Sequence, residues 1–148
     1  MNSIQSMNRA ADNIRILAAS MVEKAKSGHP GGAMGGADFI NVLYSEYLQF
    51  DPQNPTWMGR DRFFLDPGHM SPMLYAQLAL IGKFSMEELQ QFRQWGSPTP
   101  GHPEVCYERG IENSSGPLGQ GHAYAVGAAI AAKFLSARTG NPTFEHET

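Results

Sequence analysis

A chain of 148 residues is long enough to bury one core of its own. With Lys and Arg at 11 against Asp and Glu at 14, the net charge of -3 lacks the clustered positive charge that nucleic acid or an anionic membrane surface demands. No apolar run approaches the roughly 20 residues of a membrane helix, Met1–Gln5 lacks the regions of a signal peptide, and the single Cys106 cannot form an internal disulfide, so a cytoplasmic protein is the expectation.

In chain order, Met7, Ala10, Ala11, Ile14, Leu17, Ala18, Met21, Val22 and Ala25 recur at three- and four-residue steps. That is one apolar face at the helical period, and it predicts a first helix. Gly28 followed by Pro30 reads as its stop, with Gly28 in the left-handed position. A second helix is predicted from Gly36 to Leu48, burying Phe39, Ile40, Leu43, Tyr44 and Tyr47, before Asp51-Pro52 and Asn54-Pro55 break the chain. Phe63-Phe64-Leu65 is the one short apolar run that reads as a buried strand, and Asp66-Pro67-Gly68 closes it with a turn.

A third helix is predicted to start at Ser71-Pro72 and to run to Ile81. The fourth opens on Ser85 and Glu88, a capping box, with Phe84 and Leu89 as a hydrophobic staple, and runs through Phe92 and Trp95 to Gly96. Ser97 to Gly116 has no periodicity, and an irregular stretch of that length within a compact domain is usually functional. The last helix is predicted from Gln120 to Arg138, with a face of Ala123, Val126, Gly127, Ile130 and Phe134. Several helices and one strand leave two architectures open: an all-helical domain, or the first piece of an α/β unit.

Of five histidines, four follow a glycine: His29, His69, His102 and His122. Composition alone would give about half a case, so the pattern points to imidazoles projecting from tight turns or close backbone approaches. A single such histidine is more often a satisfied structural residue, and four together weaken that reading. A structural zinc site is a weaker alternative, because no short ligand spacing is present and the only thiol is isolated.

Gly116-Pro117-Leu118-Gly119-Gln120-Gly121 opens directly into the last helix. Glycines there expose backbone N–H groups where the helix dipole adds partial positive charge, a setting that suits a phosphate or another anion. It matches neither the Walker A pattern nor a dinucleotide fingerprint, and a plain loop-to-helix turn is the competing reading. Ser27-Gly28-His29-Pro30-Gly31-Gly32, between the first two predicted helices, carries more glycine than a helix connection requires. Asp61 and Arg62 read as solvated ends of an element. Glu87, Glu88, Arg93 and Glu104 read as surface, Trp57 and Trp95 as packing, and Cys106 as unactivated.

Taken together, Ser27-Gly28-His29-Pro30-Gly31, Asp61-Arg62-Phe63 leading to Gly68-His69, Thr99-Pro100-Gly101-His102-Pro103-Glu104, and Gly116-Pro117-Leu118-Gly119-Gln120-Gly121 resemble the N-terminal region of transketolase in order and spacing, from about Ala10 to Arg138. The resemblance implies a partial thiamine diphosphate-binding fold of the α/β class, helix-rich with little sheet over residues 1–148. It implies transfer of a two-carbon ketol unit from a ketose phosphate to an aldose phosphate, with thiamine diphosphate and Mg2+ or Ca2+.

Carried over residue by residue, His29 would face the substrate and assist proton transfers, and His102 would hydrogen-bond the substrate's terminal hydroxyl end. His69 would lie beside the cofactor near its diphosphate, and Gly116, Pro117 and Leu118 would touch the cofactor. Asp66-Pro67 stands where the family often has a small polar residue. His122 falls where the family varies, and no role is carried onto it.

The family's metal-binding Gly-Asp-Gly-like motif and a later Asn lie beyond Thr148. The resemblance therefore implies sugar phosphates, the remainder of the enzyme or a second subunit, and a homodimer as partners, and a segment inactive by itself. Helix faces left bare would drive self-association. Two further readings are a subunit of a split thiamine diphosphate enzyme and a non-catalytic helical assembly module.

Overall fold

The computed structural model describes residues 3–148, so Met1 and Asn2, the start of the expected leaderless N-terminus, lie outside the described residues. Among the described residues six α-helices are formed: α1 (Ile4–Ala25), α2 (Pro30–Gly35), α3 (Ala37–Val42), α4 (Ser71–Leu80), α5 (Met86–Leu89) and α6 (Gln120–Thr139). Among the described residues there is no strand; one antiparallel bridge, Cys106 to Ile111, is the only ladder contact. No helix among the described residues is long and apolar enough to cross a membrane.

Helix α1 starts where the Ser3 hydroxyl accepts from Ser6 N at 3.1 Å. It buries Ala11, Ile14, Ala18 and Met21, the centre of its apolar stripe, while Leu17, Val22 and Ala25 pack against the core. Its end differs from the expectation. Lys26, not Gly28, takes the first left-handed conformation (φ 51°), and Gly28 follows at φ 129°, a value side chains rarely adopt.

Helix α4 is the centre of the molecule. It is buried from Ser71 to Ala79, and apolar residues face every side of it apart from the buried Ser71 and Gln77, as a helix enclosed all round requires. Met73, Leu74, Tyr75, Ala76 and Leu78 join α1, Ala33, Ala37, Ile40, Leu65, Phe84, Leu89, Phe92 and Ile111 in one core.

The glycine-rich stretch read as a connection is helix α2, with Pro30 in its first turn. Gly32 within it and Gly36 at its end serve close packing, whereas Gly31 and Gly35 face open space. A Cβ on Gly32 would fall 3.0 Å from Met70 Cγ, and one on Gly36 would fall 2.5 Å from Met73 Sδ. The predicted second helix therefore begins six residues early, is divided at Gly36, and ends in a π-helical turn, Leu43–Tyr47. Ile40 is buried while Phe39, on another face of α3, is exposed, and the turn shifts the register beyond Val42 so that Tyr47 is exposed too.

Two more expectations are corrected. Phe63-Phe64-Leu65 is not a strand. Leu65 N donates to Asn113 Oδ1 (3.0 Å), and Asn113 Nδ2 donates to Leu65 O (3.2 Å), so one side-chain amide does what a neighbouring strand would have done. The fourth helix holds only four residues. Its capping box is formed, with Glu88 N to Ser85 Oγ at 3.2 Å and Ser85 N to Glu88 Oε2 at 2.8 Å. Turns then carry Phe92 into the core and leave Trp95 fully exposed instead of packed. Trp57 is also exposed.

The pair read as solvated ends is buried or half-buried. Asp61 accepts from Gln49 N and from Glu147 N, each at 2.8 Å. Arg62 is half-buried and meets His146. Glu88, read as surface, is half-buried against Arg109, 2.8 Å away.

Candidate functional site

Each histidine is placed by a turn whose neighbour is anchored in the core. His29 is the residue before α2, where Pro30 supplies a preset φ and needs no N–H partner. His69 sits in a single 3-10 turn, Gly68–Met70, that runs into α4. The two rings lie 4.7 Å apart between centroids, at 54°. Helix α2 and the His69 turn can approach this closely because Gly32 and Gly36 offer no side chain to the thioethers of Met70 and Met73.

The preceding glycine, Gly68, is buried against the loop before α6. A Cβ there would fall 2.8 Å from Ser115 Oγ and 3.0 Å from Gly116 N. Gly116 in turn faces His102, whose Cγ and Nδ1 would lie 3.9 Å from a Cβ on that glycine. His29, His69, Gly68, Gly116 and His102 thus form one continuous chain of contacts from four separate segments.

The loop bearing His102 is tied down by helix α4. Ser71 Oγ donates to Gly101 O at 2.7 Å, and Tyr75 Oη donates to Pro100 O at 2.9 Å. Burial, followed by the negative charge of Glu104, pushes the Tyr75 phenol well above its ordinary range, so it stays a donor. On the far side, Ser115 N donates to Pro103 O at 3.0 Å. Beside His102 a hollow of about 510 Å3 is lined by Arg93, Trp95, Ser97, Pro100 and Gly101. A larger one of about 580 Å3, between α6 and residues 144–148, holds none of these histidines.

Pro117 and Leu118 are exposed just beyond Gly116. The glycine-opened start of α6 differs from the expectation of an open anion site. Asp66 Oδ2 accepts from Gly119 N at 2.9 Å and from His122 Nδ1 at 2.5 Å, so the chain's own carboxylate meets the positive helix end. A Cβ on Gly121 would strike Asp66 Cβ at 2.6 Å and Leu65 O at 2.7 Å, which presses this end of α6 onto residues 65–66. His122 is thereby an exposed partner of Asp66.

Sequence reasoning missed Asp66 and Ser115, while Arg93, read as surface, is exposed. Asp66 was hidden inside a turn signal. Ser115 stands in an unremarkable polar run, and its role depends on Gly68 from 47 positions earlier. Ser115 Oγ is buried without a hydrogen-bond partner, at the junction of Gly68 and Gly116. An orphaned hydroxyl beside imidazoles is a donor set for an anionic or polar ligand. Among the described residues, no three His, Cys, Asp or Glu side chains gather to hold a metal ion.

The chain is similar to known proteins over nearly its whole length. Residues 6–148 match the family model described as "Transketolase, thiamine diphosphate binding domain". The chain is 52% identical over 141 residues to a protein named Transketolase-1, chloroplastic, from Arabidopsis thaliana, covering 94% of this chain and 19% of that one. Among solved structures, transketolase from Leishmania mexicana superposes with a TM-score of 0.87 at 45% identity, over 96% of this chain and 21% of its own. A transketolase from Pichia stipitis in complex with sedoheptulose 7-phosphate gives 0.84 at 42% identity, over 88% and 19%. The chain spans about a fifth of the length of the relatives it matches.

Proposed function

Since the chain belongs to the transketolase family, in its thiamine diphosphate-binding domain, we propose that it supplies one wall of a ketol-transfer site, in an enzyme that moves a two-carbon unit from a ketose phosphate to an aldose phosphate. The observation that carries this reading is the contact chain from His29 through His69, Gly68 and Gly116 to His102. The sugar phosphate bound by the Pichia stipitis relative supports the substrate class.

The residues present fit a thiamine diphosphate. His69, the unpartnered Ser115 hydroxyl and the segment Gly116, Pro117 and Leu118 would hold it, with His69 and Ser115 offering N–H and O–H donors to its diphosphate. When bound, that cofactor supplies the nucleophilic carbon of ketol transfer. A divalent cation, Mg2+ or Ca2+, would neutralise the diphosphate's charge; among the described residues no three His, Cys, Asp or Glu side chains gather to hold it.

This chain's own work is orientation and proton management. His29, exposed at the mouth of α2, takes and returns protons at the substrate's hydroxyl groups, which suits an imidazole near neutral pH. His102 hydrogen-bonds the terminal hydroxyl end and so fixes the sugar's register. The working enzyme is a cytoplasmic homodimer containing the remaining transketolase segments.

The test is reconstitution of this segment within the complete enzyme, with thiamine diphosphate, Mg2+ and a ketose and aldose phosphate pair. Ketol transfer is expected, and His29→Ala is expected to lower kcat by about 10²-fold or more. Cofactor binding without any transfer would overturn the reading.

A further inference from the structure

Arg93 has no role in the account above, yet its surroundings are unusual. Phe92, its neighbour, is a core residue at 2% exposure. Arg93 itself has φ 61°, a left-handed conformation that is sterically costly for a residue with a side chain. The turn is held by Arg93 N donating to Thr99 O at 3.0 Å, and buried Thr99 is held by its hydroxyl donating to Glu88 O at 2.9 Å.

This kink sends the guanidinium back between two glycines. A Cβ on Gly101 would fall 3.0 Å from Arg93 Nε and 3.1 Å from Cζ. A Cβ on Gly28 would fall 3.5 Å from Arg93 Nη1, in a niche completed by Val22 and Phe92. The next residues in the chain are His102 and His29. One planar side chain therefore spans the two turns that carry the outer imidazoles of the site. A glycine at 93 would relieve the backbone at no steric cost, so the strain is maintained for the side chain.

We propose that Arg93 is a positioning residue, a guanidinium wedge that sets the separation of the His29 and His102 turns and, on the functional reading above, thereby the rate of ketol transfer. Gly101 is a glycine because the wedge occupies the space of its Cβ.

The test is a double-mutant cycle in the complete holoenzyme. Arg93→Gly should lower kcat at least tenfold while leaving the midpoint of thermal unfolding unlowered and the Kd for thiamine diphosphate within twofold. Gly101→Ala should cause a comparable loss by displacing the wedge, and adding it to Arg93→Gly should cost less than a further twofold. Activity of Arg93→Gly within twofold of the parent, fully multiplicative losses in the double variant, or a loss matched by weaker cofactor binding would each overturn the proposal. If the parent enzyme shows no ketol transfer, the functional reading fails, and hydrogen exchange decides the wedge independently. Exchange at Gly28, His29, Gly101 and His102 at least tenfold faster in Arg93→Gly supports it, and unchanged exchange overturns it.

Discussion

Arg60 and Glu112 stand 52 residues apart in sequence and meet as a two-point ion pair, Nε to Oε1 at 2.7 Å and Nη2 to Oε2 at 3.0 Å. Both side chains are under a tenth exposed, and Arg60 Nη1 also donates to Trp57 O at 2.8 Å. Removing one partner of such a pair leaves a buried charge without compensation, so Glu112→Ala should cost about 3–5 kcal/mol in urea unfolding. Replacing both by apolar residues, as in Arg60→Met with Glu112→Leu, should recover most of that loss, because neither charge is then desolvated. The cation of Arg62 is disfavoured by burial and then by neighbouring Arg60, which adds to the case that this patch is closed by tertiary contacts. None of this was legible locally. Asp61 and Arg62 look like any charged pair at the end of an element, and Glu112 lies in the irregular stretch with no periodicity to mark it. The imidazoles of the proposed site each carry a local cue, the glycine before them, which His122 shares.

Local signals also decided which elements could be foreseen. The Ser85–Glu88 capping box depends on two residues three apart, and it formed as read. Glu88 has a second partner in Arg109, and the hydrogen bond from Arg109, followed by the one from Ser85 N, holds its carboxyl below the ordinary value. A carboxylate with a lowered folded pKa contributes stability that is fully present above its unfolded value, about 4.3, and is lost as pH falls through the folded value. Glu88→Gln retains an acceptor for the cap and removes the charge. It should therefore destabilise the chain at pH 7 by about 1 kcal/mol or less, given the part-exposed pair, and the difference in thermal unfolding should shrink as pH falls below about 4.3 and disappear once pH is under the folded value. Elements whose form depends on distant partners were not foreseen. Phe63–Leu65 has strand composition but receives Asn113 instead of a strand. Glycine has poor helix propensity, and at Gly32 and Gly36 the approach of Met70 and Met73 is what the bare backbone permits.

At the scale of the molecule, α4 is enclosed, whereas α6 touches the body chiefly at its start and at Ala132. Val126, Ile130 and Phe134, foreseen as a buried face, are each more than 60% exposed. The period was right and the packing was not, because amphipathic spacing shows which residues seek cover and not whether the cover is within the same 148 residues. Such a stripe should make this chain associate with itself as concentration rises, and Ile130→Ser with Phe134→Ser should return the sedimentation coefficient to that of a monomer. An unchanged, monomeric coefficient for the parent across the concentration range would refute the expectation.

The seam between α2 and the His69 turn has one more consequence. Its closeness rests on thioethers facing bare glycine backbone, with Met70 half-buried and Met73 deep in the core. An oxidant that converts Met70 to its sulfoxide adds a polar oxygen to a side chain that leaves too little room even for a methyl group on Gly32. Peroxide would thus lever His29 away from His69 without touching either ring, and methionine sulfoxide reductase would close the gap again.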